Sequence, residues 1–236
     1  MKYRGLDIET ADWGEPYVVT GYDHETDTRY FWQADEIDIV ERVCRWSPTV
    51  IAEMQRFIDG AIVIGHNILM FDQPILEELG LDFSVCVEVI DTQICSHVCN
   101  ALQKHGLKSL CRQFLGISEQ DERDLIAKAN EARRIIESCK RCFEKSPPRI
   151  MPSLRAKGFD DWAWINYLSK AELPEGKGKA KRSMYLVPVV FPGETLTETY
   201  AGMDAERPVK LFLGQHTEPQ CVGFKRIMDV KKWWSA

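Results

Sequence analysis

Residues 5–10, Gly5-Leu6-Asp7-Ile8-Glu9-Thr10, decide the fold. The apolar members of this stretch belong in a buried strand, yet Asp7 and Glu9 interrupt it with two carboxylates. Positions i and i+2 of a strand project from the same face, so the two acids stand side by side, about 7 Å apart on the strand's own rise. Like charges that close repel each other and resist burial. The spacing predicts something cationic between or in front of them.

Outward from that strand, YVVTGYD (17–23) and TRYFW (28–32) are β-branched and aromatic runs separated by a polar turn. Their short connections predict three consecutive antiparallel strands. From 38 to 59 the apolar residues Ile39, Val43, Trp46, Val50, Met54, Phe57 and Ile58 fall at helical spacing, with Pro48 interrupting or dividing the helix. AIVIG (61–65) is a short apolar run suited to a strand covered on both faces. FDQPILEELG (71–80) predicts a helix closed by Gly80. CVEVID (86–91) is a further strand, and Asp91 caps the helix that begins TQICSHVCNAL. With LKSLCRQFLG (107–116) as another helix, the order βββαβαβαα predicts a mixed α/β fold around a central sheet.

Ser118 and Asp121 have capping-box spacing and open a long amphipathic stretch through Ile135, Ile136 and Cys139, which SPPR (146–149) ends. The following residues are irregular, EGKGKAKR (175–182) reads as a basic loop, and SMYLVPVVF (183–191) as an extended β-ribbon. Thr195 and Glu198 again have capping-box spacing, predicting a helix from about Leu196 to Leu213. Pro208 lies inside it and should kink or shorten it. There is no internal repeat.

The 236 residues suit one substantial domain with an insertion. No apolar run approaches the roughly 18 residues of a membrane span, and Met1 leads straight into the first strand without a signal-peptide layout. Eight scattered cysteines fit a reducing compartment, so a cytoplasmic protein is expected. The formal charge of −6 hides an asymmetry: residues 126–182 carry 14 Lys/Arg against 7 Asp/Glu, and the rest 16 against 29. A basic segment on an acidic body suits either one localised surface for a polyanion or an ordinary solvated face.

Two further motifs answer the opening carboxylates. GHNILMFDQPIL (65–76) puts Asp72 on the first turn of a helix, and TYAGMDAERPVKLF (199–212) makes Tyr200 and Asp204 neighbours at i and i+4. Asp7, Glu9, Asp72 and Asp204 thus form a set of four acids in or beside ordered elements. Taken together, GLDIET, HNILMFD and YAGMD resemble the three motifs of the DEDD 3′–5′ exonucleases of the DnaQ-like, ribonuclease-H-like superfamily. With IDTQICSHV after the second motif, the similarity is greatest to the proofreading domains of phage A-family DNA polymerases. It covers residues 1–116 and about 195–213, and Tyr200, four before Asp204, matches the tyrosine (DEDDy) type.

The resemblance implies a ribonuclease-H-like mixed five-stranded sheet flanked by helices. It gives a single exonuclease domain over 1–236, with an inserted basic helical and loop region at about 118–194. Phosphodiester hydrolysis requires an activated water and stabilisation of charge on both the attacking and leaving oxygens, and two divalent ions about 3.5–4 Å apart do both. Oxygen ligands suit Mg²⁺ or Mn²⁺. By resemblance Asp7 bridges both ions, Glu9 and Asp204 complete the tighter site, and Asp72 acts on the second through water. Glu9 also touches the terminal 3′-hydroxyl, Tyr200 orients the attacking water, and Thr10 and Asn67 hold the terminal nucleotide. Lys177, Lys179, Lys181 and Arg182 of the basic loop are candidates for strand capture. Cys139 and Cys142 read as semi-buried thiols, as do Cys95 and Cys99, so no structural zinc is expected.

The expected partners are single-stranded 3′ ends, DNA in preference, with no membrane. A chain of this length leaves no room for a polymerase domain, so the expected enzyme is free-standing or serves a separate polymerase. Two rivals stand beside this reading: an exonuclease directed at RNA, and a non-catalytic nucleic-acid-binding module on the same fold.

Overall fold

The computed structural model describes residues 2–11, 14–38, 43–118, 120, 122–124, 126–127, 186–187 and 196–214. The opening stretch lies in a strand, β1 (Tyr3–Thr10), followed by β2 (Pro16–Asp23) and β3 (Thr28–Gln33). These three pair antiparallel, as their β-branched and aromatic composition and short turns predict. The next two strands, β4 (Glu36–Asp38) and β5 (Val43–Arg45), form a small antiparallel pair.

That pair corrects the helix expected from 38 onward. The helix α1 (Pro48–Ile58) begins only at Pro48, behind Ser47, whose hydroxyl accepts the Val50 N–H at 3.4 Å. Proline has no N–H to contribute and a fixed φ suited to a first turn, so it starts this helix rather than dividing it. After α1 come β6 (Ile62–Gly65), α2 (Asp72–Leu79), β7 (Glu88–Asp91), α3 (Thr92–Cys99) and the short α4 (Leu107–Leu110). α2 closes on Gly80 at φ 110°, a left-handed conformation that favours glycine. The helix expected through Gly116 widens after Leu110: Cys111–Leu115 takes a π-type turn.

Strand β8 (Leu186–Val187) pairs with β4, so two residues of the expected ribbon join a second, three-stranded sheet. The final helix is α5 (Leu196–Leu213), which continues through Pro208. The remainder of the basic region, including the predicted amphipathic helix beyond 127, lies outside the described residues. No helix among the described residues is long and apolar enough to cross a membrane.

The main sheet has the order β3-β2-β1-β6-β7, with β1, β6 and β7 parallel. It is the mixed five-stranded α/β architecture expected for a ribonuclease-H-like fold. Each face is buried. Leu6, Ile8, Val19 and Val63 pack with Met54, Phe57 and Leu76, which belong to α1 and α2. On the other face Ile62, Ile64 and Ile90 pack with Cys95 of α3 and Ala205, Val209 and Phe212 of α5. The period-2 alternation of β1 therefore settles where its acids go: Leu6 and Ile8 face α1 and α2, and Asp7 and Glu9 face the side that α5 covers.

Candidate active site

β1 is the middle strand of the sheet, and α5 lies directly across it. A Cβ at Gly5 would stand 1.9 Å from the Ala205 carbonyl oxygen, so only glycine admits the helix this close. The Thr20 hydroxyl of β2 donates to the Ala201 carbonyl at 2.9 Å and ties down the same stretch of helix. Asp204, next to Ala205, is thereby delivered to the face that bears Asp7 and Glu9.

Asp72 arrives from another direction. β6 pairs with β1 only as far as Gly5 opposite Ile64, and beyond it the Ile8 N–H is taken by Asp72 Oδ1 at 3.1 Å. The turn that carries Asp72 is clamped by the buried Asp91. One Asp91 oxygen accepts from the N–H groups of Asn67, Gln93 and Ile94 and the other from Leu69, so a single carboxylate caps α3 and fixes the turn. Asn67 stands at φ 65°, left-handed, and its carbonyl accepts from Met70 and Phe71. Thr10 closes β1, where the register with β2 shifts after Glu9.

Tyr200 and Asp204 lie on one face of α5, as their spacing predicts. Two cations meet Asp204 Oδ1. Arg207, 2% exposed, donates from Nη1 at 2.8 Å, and the Lys108 ammonium forms an ion pair with the same oxygen. That ammonium also sits 4.3 Å from the centre of the Tyr200 ring, a cation–π distance.

The electrostatics show how crowded the acids are. Burial holds the Asp7 carboxyl well above the usual range, reinforced by repulsion from Asp72, Asp204 and Glu9 and opposed by Lys108. Glu9 is pushed up to about 8 by burial and then by Asp204. Asp72 is pushed up to about 7 by burial, against the stabilising bond from Ile8. Asp7 and Glu9 thus both lie within electrostatic reach of Asp72 and Asp204. Burial and four surrounding acids, Asp204 first, drive the Tyr200 hydroxyl far above its ordinary range, so it is a neutral phenol.

The expected two-cation site is not preformed: among the described residues, no three His, Cys, Asp or Glu side chains converge as a ready-made metal site. Lys108 and Arg207 hold Asp204 instead. The residues nevertheless fit a hard divalent ion. Their donors are all carboxylate oxygens, and burial first and the neighbouring acids next displace Asp7 and Glu9 upward, a displacement that a cation bound beside them would oppose.

A cavity of about 440 Å³ opens onto this cluster, lined by Asp7, Tyr200, Asp204, Lys108, His66 and Glu122 among others. The last three, and Arg207, went unassigned in the sequence. His66 Nδ1 lies 3.0 Å from the Thr92 hydroxyl, which itself donates to the Gly65 carbonyl, and burial lowers the imidazole to about 4. Arg207 had a signal, being i+3 from Asp204. Lys108 and Glu122 had none, since nothing local separates them from the other charged residues. Lys177, Lys179, Lys181, Arg182, Cys139 and Cys142 lie outside the described residues.

A family model described as 3'-5' exonuclease matches residues 6–142, more than half of the chain. No curated protein matches it.

Proposed function

The chain belongs to the 3'-5' exonuclease family, and from that premise we propose that it is a metal-dependent hydrolase of the DEDDy type. It shortens single-stranded DNA from the 3′ end and releases nucleoside 5′-monophosphates. Its setting is proofreading-like, as in the exonuclease domains of phage A-family polymerases. The observation that carries the reading is the meeting of Asp7 from β1 and Asp204 and Tyr200 from α5 at one cavity, with Glu9 and Asp72 close enough to act electrostatically on Asp7.

Asp7, Glu9 and Asp204 would hold a divalent ion, with Asp72 behind them. When bound, such ions offset charge on the phosphodiester and favour water as a nucleophile. The chain's own groups do the positioning. The Tyr200 hydroxyl keeps its proton and acts as a hydrogen-bonding group that aims water at the terminal phosphorus. Attack breaks the bond from phosphorus to the 3′ oxygen of the penultimate nucleotide, which takes up a proton and becomes the new 3′ end. Arg207 keeps the Asp204 carboxylate in place from beneath, and the bond from Ile8 does the same for Asp72. Thr10 at the end of β1 and Asn67 in the clamped turn would border the terminal nucleotide.

The test uses matched DNA and RNA single strands of one sequence, incubated with Mg²⁺, Mn²⁺ or EDTA, with products separated by chromatography. Nucleoside 5′-monophosphates released faster from DNA support the proposal in full. Faster release from RNA keeps the enzyme class and overturns the substrate. Binding without release would leave the non-catalytic module.

A further inference from the structure

The Lys108 ammonium borders the acid cluster and lines its cavity. It is ion-paired with Asp204, lies over the Tyr200 ring at 4.3 Å, and acts electrostatically on Asp7, Glu9 and His66. Its side chain is 15% exposed, so little water shares the work of compensating these charges. The backbone that carries it is fixed: α4 starts behind Gly106, and Leu110 is fully buried.

We propose that Lys108 is the resident cation of this site, holding Asp204 beside Asp7 and Glu9 until a divalent metal displaces it. The inference rests on the reading of the cluster as a metal site. A divalent ion held by Asp204 would repel the ammonium at close range and compete with it for this carboxylate. Glu122 lines the same cavity and offers the displaced ammonium an acceptor outside the cluster. Arg207 differs, because it is buried beneath Asp204 within α5 and remains paired while the metal is bound.

The consequence is a metal affinity lower than the carboxylates alone would give. A ligand that binds only the minor, unpaired state loses apparent affinity by the fraction of that state. If the pair is closed in about 90–99% of metal-free molecules, the loss is about 10- to 100-fold. Lys108 thus acts as a positioning residue through Asp204, and it keeps the acids from drifting apart or filling with adventitious monovalent ions.

The experiment measures Mn²⁺ binding by the electron paramagnetic resonance of the free ion, at about pH 8.5 to limit proton competition. The full-length parent, Lys108→Met, Lys108→Arg and Asp7→Asn are compared. Lys108→Met should bind Mn²⁺ about 10- to 100-fold more tightly than the parent, and Lys108→Arg should stay close to it. Damage to the fold would weaken binding, so a gain separates this role from a merely structural one. Equal or weaker binding by Lys108→Met would overturn the inference while leaving the metal site standing. Parent binding that survives Asp7→Asn would overturn the metal-site reading itself. A second measurement needs no variant: in the parent, the Lys108 side-chain nuclear magnetic resonance signals should shift as Mg²⁺ saturates the site. Signals that stay fixed through saturation would contradict displacement.

Discussion

The Asp72 carboxylate accepts the backbone N–H of Ile8, at 3.1 Å, across the point where β6 has stopped pairing with β1. One acid of the cluster is thus fastened to the strand that carries two others. The bond needs an oxygen acceptor but no charge, while burial pushes the carboxyl up to about 7. Asp72→Asn should therefore keep the fold and raise the metal-free melting temperature above the parent's at pH 8, where the parent has lost that proton. Turnover should fall by roughly ten- to a thousand-fold, the order of a lost transition-state contact. Calorimetry paired with a nuclease assay checks both halves, and a variant that is less stable and fully active would contradict them.

Arg207 bears differently on stability. Its guanidinium is 2% exposed and bonded to Asp204 at 2.8 Å. Removing one partner of a buried ion pair leaves the other charge uncompensated, which costs about 3–5 kcal/mol. Arg207→Met should lower the urea midpoint accordingly. A loss below about 1 kcal/mol, the level of a surface pair, would mean that Lys108 alone supports Asp204.

How much of this was legible beforehand follows from the physical range of each signal. Asp7 and Glu9 were readable because strand alternation is local and has a period of two, and Asp91 because a helix cap acts within three residues. Residues 43–45 misled because Val43 and Trp46 share helical spacing with Val50 and Met54, though a short strand and a loop carry the first two. Only the pairing with β4 decides that, and pairing is not local. Lys108 was invisible for the same reason: it lies 96 residues from Asp204, and only the packing of α4 beside α5 brings the two together.

The raised acids make stability depend on pH with a definite sign. Glu9 holds its proton up to about 8 in the folded chain, against an ordinary 4.5. Between those values the folded state binds more protons than the unfolded one, so stability falls as pH rises. The contribution is fully present below the ordinary value and is lost as pH climbs through about 8. Urea midpoints in EDTA should decline across that window, and saturating Mg²⁺ should flatten the decline. Midpoints that rise with pH in EDTA would show that the acids are well compensated without metal.

Tyr200 separates positioning from base catalysis. Its hydroxyl is driven upward by burial and by Asp204, so a phenolate is not available at neutral pH. Tyr200→Phe removes one hydrogen-bonding group and leaves every acid in place. Turnover should slow by roughly ten- to a thousand-fold while Mn²⁺ affinity stays near the parent's. Full activity under conditions where chemistry limits the rate would remove the hydroxyl from the mechanism.

The most direct measurement follows a single-stranded DNA labelled at its 5′ end, incubated with the parent or with Asp7→Asn, in Mg²⁺ or in EDTA. With the parent and Mg²⁺, the label should pass through a ladder of products that shorten one nucleotide at a time from the 3′ end. EDTA or Asp7→Asn should leave the strand at full length, because the first withdraws the divalent ion and the second removes a carboxylate that would hold it. A ladder that persists in EDTA or with Asp7→Asn, or label released at once as a mononucleotide from the 5′ end, would contradict the assignment of this site.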